Sequence, residues 1–173
     1  MHNSPRRHLR LPSTVLRSLV WWTHDTHLMA GMSFQPLPPS KMVTTDASLL
    51  GWGAHLDSLT VQCTWRKKER QHHMNYLELL AVLKALRAFD NDLRGCSVLI
   101  TTDNTTVMYH INKQGGTRSR ILVHLTLHLW QWCIRRHIVL TAVHIPGTSK
   151  ILADALSRTL DVAHEWQLHQ KYL

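Results

Sequence analysis

The stretch from Met42 to Arg66 constrains the fold most, because three strand-like segments follow one another with almost no chain between them. Residues 42–48 are rich in Val and Thr, and residues 51–57 form the next such segment. Residues 59–66 alternate apolar and polar side chains, which is the period of a half-buried strand. Connections this short are typical of antiparallel hairpins, so the sequence predicts a meander of three strands.

Helical periodicity replaces the strand pattern after Arg66. Apolar side chains recur at helical spacing over residues 75–89 and 119–136, where Asn75 and Ser119 are suitable N-caps. An antiparallel meander followed by right-handed crossovers predicts an α/β fold with a mixed five-strand sheet, three antiparallel strands and then parallel ones, flanked by helices. The remaining predicted elements are short helices at 104–111 and 150–158 and strands at 97–102 and 138–145.

Proline content and polarity divide the chain into three parts. Residues 1–40 are predicted to hold a short helix, capped by Ser13 and running through Trp22, and a Pro-rich connecting segment. The domain itself is predicted over residues 41–158, and residues 159–173 form a polar C-terminal tail.

The chain is basic, with 20 Lys and Arg residues against 11 Asp and Glu residues and a formal net charge of +9. Such a surface attracts polyanions, of which nucleic acid is the commonest, although a basic protein without that partner is the alternative. The 3 cysteines form no CxxC pair, which argues against a zinc site and favours an intracellular, reducing compartment, cytoplasm or nucleus. We expect no signal peptide and no association with a membrane.

Acidic residues are scarce, which makes the position of four of them informative. Asp46 interrupts a strand of Val, Thr and Ala, and Asp103 directly follows a second apolar strand, where open sheets bind ligands. Glu78 lies in the first predicted turn of the long helix, and Asp154 lies in the last helix. If these elements pack as predicted, the acids converge at one edge of the sheet. Clustered carboxylates repel unless hard divalent cations such as Mg²⁺ neutralise them.

Each acid also has a structural interpretation. Asp46 could end a strand, and Asp103 could cap the helix that follows it. Glu78 could complete a capping box with Asn75, and Asp154 could be a solvated helix residue. The joint occurrence of these acids, in this order and on these elements, favours the metal-binding interpretation.

Short motifs surround the four acids: Thr44-Thr-Asp46-Ala-Ser48, Gly51-Trp-Gly-Ala54, Leu77-Glu78-Leu79, Thr101-Thr-Asp103-Asn104, His144-Ile-Pro-Gly147 and Ala153-Asp154-Ala-Leu-Ser-Arg158. Over residues 41–158 the chain resembles the ribonuclease H domain of retroelement polyproteins. The similarity is greatest to DIRS-type tyrosine-recombinase retrotransposons, with Ty3-like elements next, and a host gene derived from such an element would look the same. The segment before the domain resembles the connection to a reverse transcriptase domain in the same polyprotein.

The resemblance implies a ribonuclease H-like fold and a site that binds two Mg²⁺ ions, for which Mn²⁺ can substitute. Asp46 would bridge both ions, Glu78 and Asp103 would serve the ion near the leaving group, and Asp154 would help hold the ion that activates water. The implied activity is endonucleolytic hydrolysis of the RNA strand of RNA–DNA hybrids, which leaves a 5′-phosphate and a 3′-hydroxyl, in retroelement reverse transcription.

The same resemblance implies contacts to the backbone of the hybrid from backbone amides and small polar side chains, which can sense 2′-hydroxyls without reading sequence. Core packing is an equal alternative for the tryptophan among these residues. The implied contact residues are Ser48, Gly51, Trp52, Gly53, Asn75, Asn104 and Thr105.

The chain departs from the family in the loop before the last acid. Cellular ribonucleases H carry a mobile His there, whereas residues 147–150 read Gly-Thr-Ser-Lys. His144 is close, but its strand and Pro146 are expected to hold it in place. Ser149 and Lys150 are therefore the candidates to contribute instead.

Two functions of different classes remain open. The presence of all four acids favours an active nuclease specific for RNA–DNA hybrids. The alternative is a catalytically silent ribonuclease H-like module that binds nucleic acid or another partner. Other nucleases on this fold fit less well, since transposase-type enzymes place their Glu last, whereas Glu78 comes second here.

Overall fold

The computed structural model describes residues 10–21, 23–25, 37–115 and 119–158. The chain divides into two compact units, residues 1–36 and 37–173. In the first unit α1 runs from Ser13 to Trp21, and Ser13 is its first helical residue rather than its cap. The predicted tail at 159–173 lies outside the described residues, and the domain boundaries stay a prediction. Over the residues that the structure describes, no helix has the length and apolar character needed to cross a bilayer.

Five strands of the second unit form one sheet: β1 (Lys41–Ala47), β2 (Gly51–Leu56), β3 (Leu59–Thr64), β4 (Ser97–Thr102) and β5 (Val139–His144). Their order across the sheet is β3-β2-β1-β4-β5. The pairs β1–β2 and β2–β3 are antiparallel, whereas β1–β4 and β4–β5 are parallel. The predicted α/β class and mixed five-strand sheet are therefore confirmed.

Within the described part of the second unit, five helices surround this sheet: α2 (Met74–Ala88), α3 (Asp90–Leu93), α4 (Thr105–Asn112), α5 (Arg120–Ile134) and α6 (Ile151–Arg158). Short 3₁₀ turns lie at Glu69–Gln71 and Gly147–Ser149. Ser119 caps α5 as predicted. The cap predicted at Asn75 is wrong, because α2 begins one residue earlier and the Nδ1 atom of His73 accepts a hydrogen bond from the Asn75 amide.

The two faces of the sheet are covered by different helices. Trp52 and Ala54 are fully buried, and α2 packs against β1 and β2. Gly53 alternates to the opposite face, where α6 lies so close that an added Cβ would be 2.8 Å from the Ser157 amide nitrogen. The sequence places a glycine there because no side chain fits between β2 and α6.

One edge of the sheet, β5, is completed by a side chain. The amide of Asn112, at the end of α4, donates from Nδ2 to the Ala142 carbonyl oxygen at 2.8 Å. Its Oδ1 atom accepts from the Ala142 amide nitrogen at 2.9 Å. Both backbone groups of Ala142 are thereby satisfied without another strand.

Candidate metal centre

Three acids from three elements meet at one end of β1 and β4. Asp46 lies near the end of β1 opposite Gly53, and Asp103 directly follows β4, which is the parallel neighbour of β1. Glu78 lies just beyond the first turn of α2, which packs on β1. One ligand atom from each of these acids lies within 4.8 Å of the others. We call Asp46, Glu78 and Asp103 the acidic triad.

The acidic triad is buried on one side and open on the other. Asp46 and Glu78 are only 5% and 6% exposed. The Asp103 side chain is 36% exposed, so it forms the rim of the site. Asp103 does not cap α4, because Asn104 is the N-cap and its side chain accepts a hydrogen bond from the Val107 amide.

The pKa of Glu78 shows that negative charge is strongly unfavourable at this centre. Burial raises the pKa of Glu78 to about 8, and the charges of Asp46 and Asp103 add to the rise, whereas Lys150 and the Ala47 amide oppose it. The Oε2 atom is buried and has no hydrogen-bond partner. The capping-box interpretation of Glu78 is wrong, because His73 caps α2 and Glu78 does not lie three residues beyond it.

Lys150 is the residue that compensates this charge. Its ammonium donates to the Asp46 Oδ1 and Asp103 Oδ1 atoms at 2.7 Å each and to the Thr45 carbonyl oxygen at 3.1 Å. Lys150 is 1% exposed, which is rare for a lysine. Burial by itself lowers the pKa of Lys150, but the hydrogen bonds to Asp103 and Asp46 and the nearby charges raise it above its ordinary value.

Asp154 is the predicted acid that the structure does not bring into the triad. Its Oδ1 atom accepts from the Nε atom of Arg158 at 2.7 Å, one turn along α6. Its backbone is nevertheless close, because the Ser157 hydroxyl donates to Asp46 Oδ2 at 2.7 Å and its Oγ atom lies 2.9 Å from the Asp154 carbonyl oxygen. Among the described residues, the acids grouped closely enough to share one cation are therefore the triad alone.

The triad fits a divalent metal ion by its chemistry. Carboxylate oxygens are the ligands that Mg²⁺ and Mn²⁺ prefer. The buried, unpartnered Oε2 atom of Glu78 is an oxygen that a cation could satisfy. The Lys150 ammonium already contacts the other two acids.

The predicted hybrid contacts divide into buried and accessible residues. The Trp52 side chain is fully buried, which favours the core-packing alternative for this residue over contact with a hybrid. Gly51 and Gly53 are buried too. The Ser48 hydroxyl donates to the Ser157 carbonyl oxygen at 2.6 Å, which ties the β1–β2 turn to α6.

The accessible contact residues lie beside the triad. The Asn104 Nδ2 atom donates to Asn75 Oδ1 at 3.0 Å, so these two side chains form one polar surface at the start of α2 and α4. Thr105 is exposed on the same turn. His144 lies at the end of β5, where its Nε2 atom is 3.1 Å from the Asp103 carbonyl oxygen. These positions are compatible with substrate contact, which stays a prediction.

Sequence reasoning named Lys150 only as a substitute for a missing His, and it did not identify Ser157 as a partner of Asp46. Ser157 could have been found from α6, since Ala153 and Ser157 are small residues four apart and form the buried side of that helix. No sequence signal distinguishes a lysine that turns inward from one that points to solvent.

Comparison with known proteins agrees with this geometry. A family model described as the RNase H-like domain found in reverse transcriptase matches residues 39–132. The enzymatic polyprotein of Cauliflower mosaic virus (strain NY8153) is 31% identical over 137 residues, which cover 71% of this chain and 20% of the polyprotein. The chain thus spans about one fifth of the length of the curated relatives it matches.

Solved structures show the same fold. RNase H1 from Halobacterium salinarum NRC-1 has a TM-score of 0.55 at 16% identity, covering 67% of this chain and 92% of that one. LC11-RNase H1, isolated from compost and solved in complex with an RNA/DNA hybrid, has a TM-score of 0.50 at 16% identity, covering 68% and 93%. The predicted ribonuclease H-like fold is therefore confirmed, and the chain belongs to the family of RNase H-like domains found in reverse transcriptase.

Proposed function

We propose that this domain hydrolyses the RNA strand of RNA–DNA hybrids and leaves a 5′-phosphate and a 3′-hydroxyl. The observation that carries the proposal is the convergence of Asp46, Glu78 and Asp103, from β1, α2 and β4, at one partly open point of an RNase H-like fold. Clustered carboxylates are unfavourable for stability, so their presence together on separate elements is best explained by cation binding.

The triad would hold Mg²⁺, or Mn²⁺ in its place, and Asp154 would join as the fourth acid of a two-ion site. When bound, such ions supply an activated water and stabilise the leaving oxygen. Asp154 is one turn from Ser157, which contacts Asp46, and release from Arg158 would free its carboxylate for this role. Ser157 meanwhile orients Asp46 by donating to its second oxygen.

The hybrid would be bound mainly through its phosphates. The net charge of +9 favours a polyanion. Exposed cations that could contact phosphates include Lys67 and Lys68, which precede α2 in the chain, and Arg120 at the start of α5. Among the solved structures with the same fold, LC11-RNase H1 is in complex with an RNA/DNA hybrid, which supports the same substrate class here.

We further propose that the domain acts in the reverse transcription of a retroelement. The relatives are enzymatic polyproteins, which supports a reverse transcriptase domain as its partner in the same polyprotein. Within that class, the sequence motifs favour a DIRS-type element, and a host gene derived from one has the same motifs. Cytoplasm or nucleus is the proposed location.

A catalytically silent binding module is the second candidate, and three ion pairs favour it. The Lys150 ammonium already neutralises Asp46 and Asp103, and Arg158 neutralises Asp154. A domain in which three of the four acids are engaged in this way could bind a hybrid without cutting it.

The deciding experiment incubates the full chain with end-labelled RNA–DNA hybrid, double-stranded RNA and double-stranded DNA, each with Mg²⁺, with Mn²⁺ or with EDTA. We expect metal-dependent cutting of the RNA strand of the hybrid alone. Retarded migration of the hybrid without any cutting would support the silent module. Equal cutting of hybrid and double-stranded DNA would contradict the proposal.

A further inference from the structure

The position of Lys150 carries the inference. Lys150 lies between the 3₁₀ turn at Gly147–Ser149 and α6, yet its side chain has no exposed surface. Each of its three ammonium hydrogens has an acceptor, namely Asp46 Oδ1, Asp103 Oδ1 and the Thr45 carbonyl oxygen. A lysine is buried in this way only when its charge is fully paired.

The charge balance between Lys150 and the acidic triad affects the binding of any metal ion there. Removing the ammonium would leave Asp46, which is 5% exposed, without its cationic partner. A divalent ion bound to the same carboxylates would replace that partner, but it would also repel the ammonium at short range. The ammonium and a divalent ion would therefore bind the same two oxygen atoms, Asp46 Oδ1 and Asp103 Oδ1, and could not bind them at the same time.

We propose that Lys150 competes with a divalent cation for the acidic triad, so that the metal enters only as the ammonium leaves. The proposal rests on the proposed function in that it takes the triad as a metal site. It adds that this chain folds with an internal cation already in the site, and that Lys150 sets the metal concentration at which the site loads.

The surroundings of Lys150 allow its side chain to leave without disturbing the core. The residues on either side of it, Gly147, Thr148, Ile151 and Leu152, are exposed. On the triad side, Asp103 is on the rim of the site with a side chain that is 36% exposed. Movement of this short segment would release the ammonium to solvent past Asp103 while β1, β4 and α2 keep their places.

The first test measures Mn²⁺ binding to the full chain by electron paramagnetic resonance, with wild type and Lys150→Met side by side. We expect Lys150→Met to bind Mn²⁺ about tenfold or more tightly, because the competing charge is gone. Lys41→Met is the matched control. It removes another ion-paired lysine, 3.3 Å from Asp57, from the far end of β1, and it should bind as wild type does.

The results separate this inference from the proposed function. Tighter binding by Lys150→Met supports competition, including the case in which wild type binds no metal and cuts no hybrid, where the nuclease proposal fails instead. Equal affinities of wild type and Lys150→Met overturn the inference, even if wild type cuts hybrid and the nuclease proposal stands. Absence of binding to both proteins overturns it as well.

A second measurement uses wild type alone and decides the matter if Lys150→Met does not fold. The buried, fully hydrogen-bonded ammonium of Lys150 should give its own slowly exchanging ¹H–¹⁵N signal in nuclear magnetic resonance spectra. We expect Mg²⁺ titration to remove that signal as the side chain moves into solvent. A Lys150 signal that stays unshifted throughout the titration counts against the inference.

Discussion

The candidate centre is built from two regions that behave differently. The first comprises β1, β4 and the start of α2, and it contributes Asp46, Asp103 and Glu78 as the sequence predicted. The second is the C-terminal segment 147–158, where the acid Asp154 was predicted to point inward. There the structure turns Lys150 inward and pairs Asp154 with Arg158.

The difference follows from what sets each position. In the first region the register of parallel strands and the packing of α2 on β1 leave each acid one orientation. In the second region a short turn and a two-turn helix carry several charged side chains. Here the position of each side chain goes with its ion pairs, since Lys150 pairs with Asp46 and Asp103, and Asp154 pairs with Arg158.

The largest expected effect is on the first region. We expect Asp103→Asn to reduce cleavage of labelled hybrid by roughly a thousandfold or more, because a neutral amide is a poor ligand for a divalent ion. The fold should persist, since Asp103 lies on the rim. Asp57→Asn, which changes an exposed aspartate at the β2–β3 turn, should cut as wild type does. Full activity of Asp103→Asn would remove the distinction between the regions.

The second prediction concerns the buried carboxyl group of Glu78 in the first region. In the absence of metal, the pKa of Glu78 is raised from 4.5 to about 8 in the folded protein. Glu78 therefore favours folding while it is protonated, and this contribution is lost as pH rises through that range. The free energy of unfolding, measured with urea in EDTA, should fall by about a few kcal/mol between these limits.

Glu78→Gln should abolish most of this pH dependence, because a neutral amide stays uncharged throughout the range. Glu69→Gln removes a carboxyl group from the ion pair with Lys84, outside the triad, and should keep the wild-type slope. If Glu78→Gln retains the slope, water reaches Glu78 and the first region is less closed than the structure shows.

The third prediction tests how the second region is attached to the first. Gly53→Ala should lower the free energy of unfolding by about 1–3 kcal/mol, because the added methyl group collides with Leu156 and forces α6 away from β2. Ser58→Ala in the exposed β2–β3 turn should be close to neutral in the same urea titration. A neutral Gly53→Ala would mean that α6 is attached loosely.

The smallest effect on stability is expected at Asp154. The ion pair of Asp154 with Arg158 is exposed, so Asp154→Asn should leave the thermal midpoint nearly unchanged. Hybrid cleavage should nevertheless fall, since the fourth acid is lost. Arg158→Gln breaks the same ion pair but keeps the acid, and it should not lose cleavage. Unchanged cleavage by Asp154→Asn would exclude Asp154 from the centre.

The sheet could be predicted because the sequence patterns that indicate its strands are local. Alternation along residues 59–66 and the short connections before it determine the antiparallel half, and apolar runs mark β4 and β5. The ends of the helices were less certain, as the His73 cap of α2 shows. A histidine side chain that accepts from a helix amide is not among the common N-caps, so Asn75 was the reasonable expectation.

The candidate site could be predicted only for those residues whose positions are determined by the order and ends of the backbone elements. Asp46, Glu78 and Asp103 follow from element order and strand ends. The burial of Lys150 and the turn of Asp154 toward Arg158 depend on side-chain rotation, which hydrophobic periodicity does not encode. Which charged side chain of one short segment turns inward is visible only in three dimensions.

The Asn112 side chain also affects whether another chain can pair with the edge strand β5. An outer strand with unpaired backbone groups is a template on which another chain can add a strand, and this is a common start of aggregation. By engaging both backbone groups of Ala142, the amide interrupts that template in the middle of β5. The Asn112 side chain thereby limits unwanted β-pairing along that edge of the sheet.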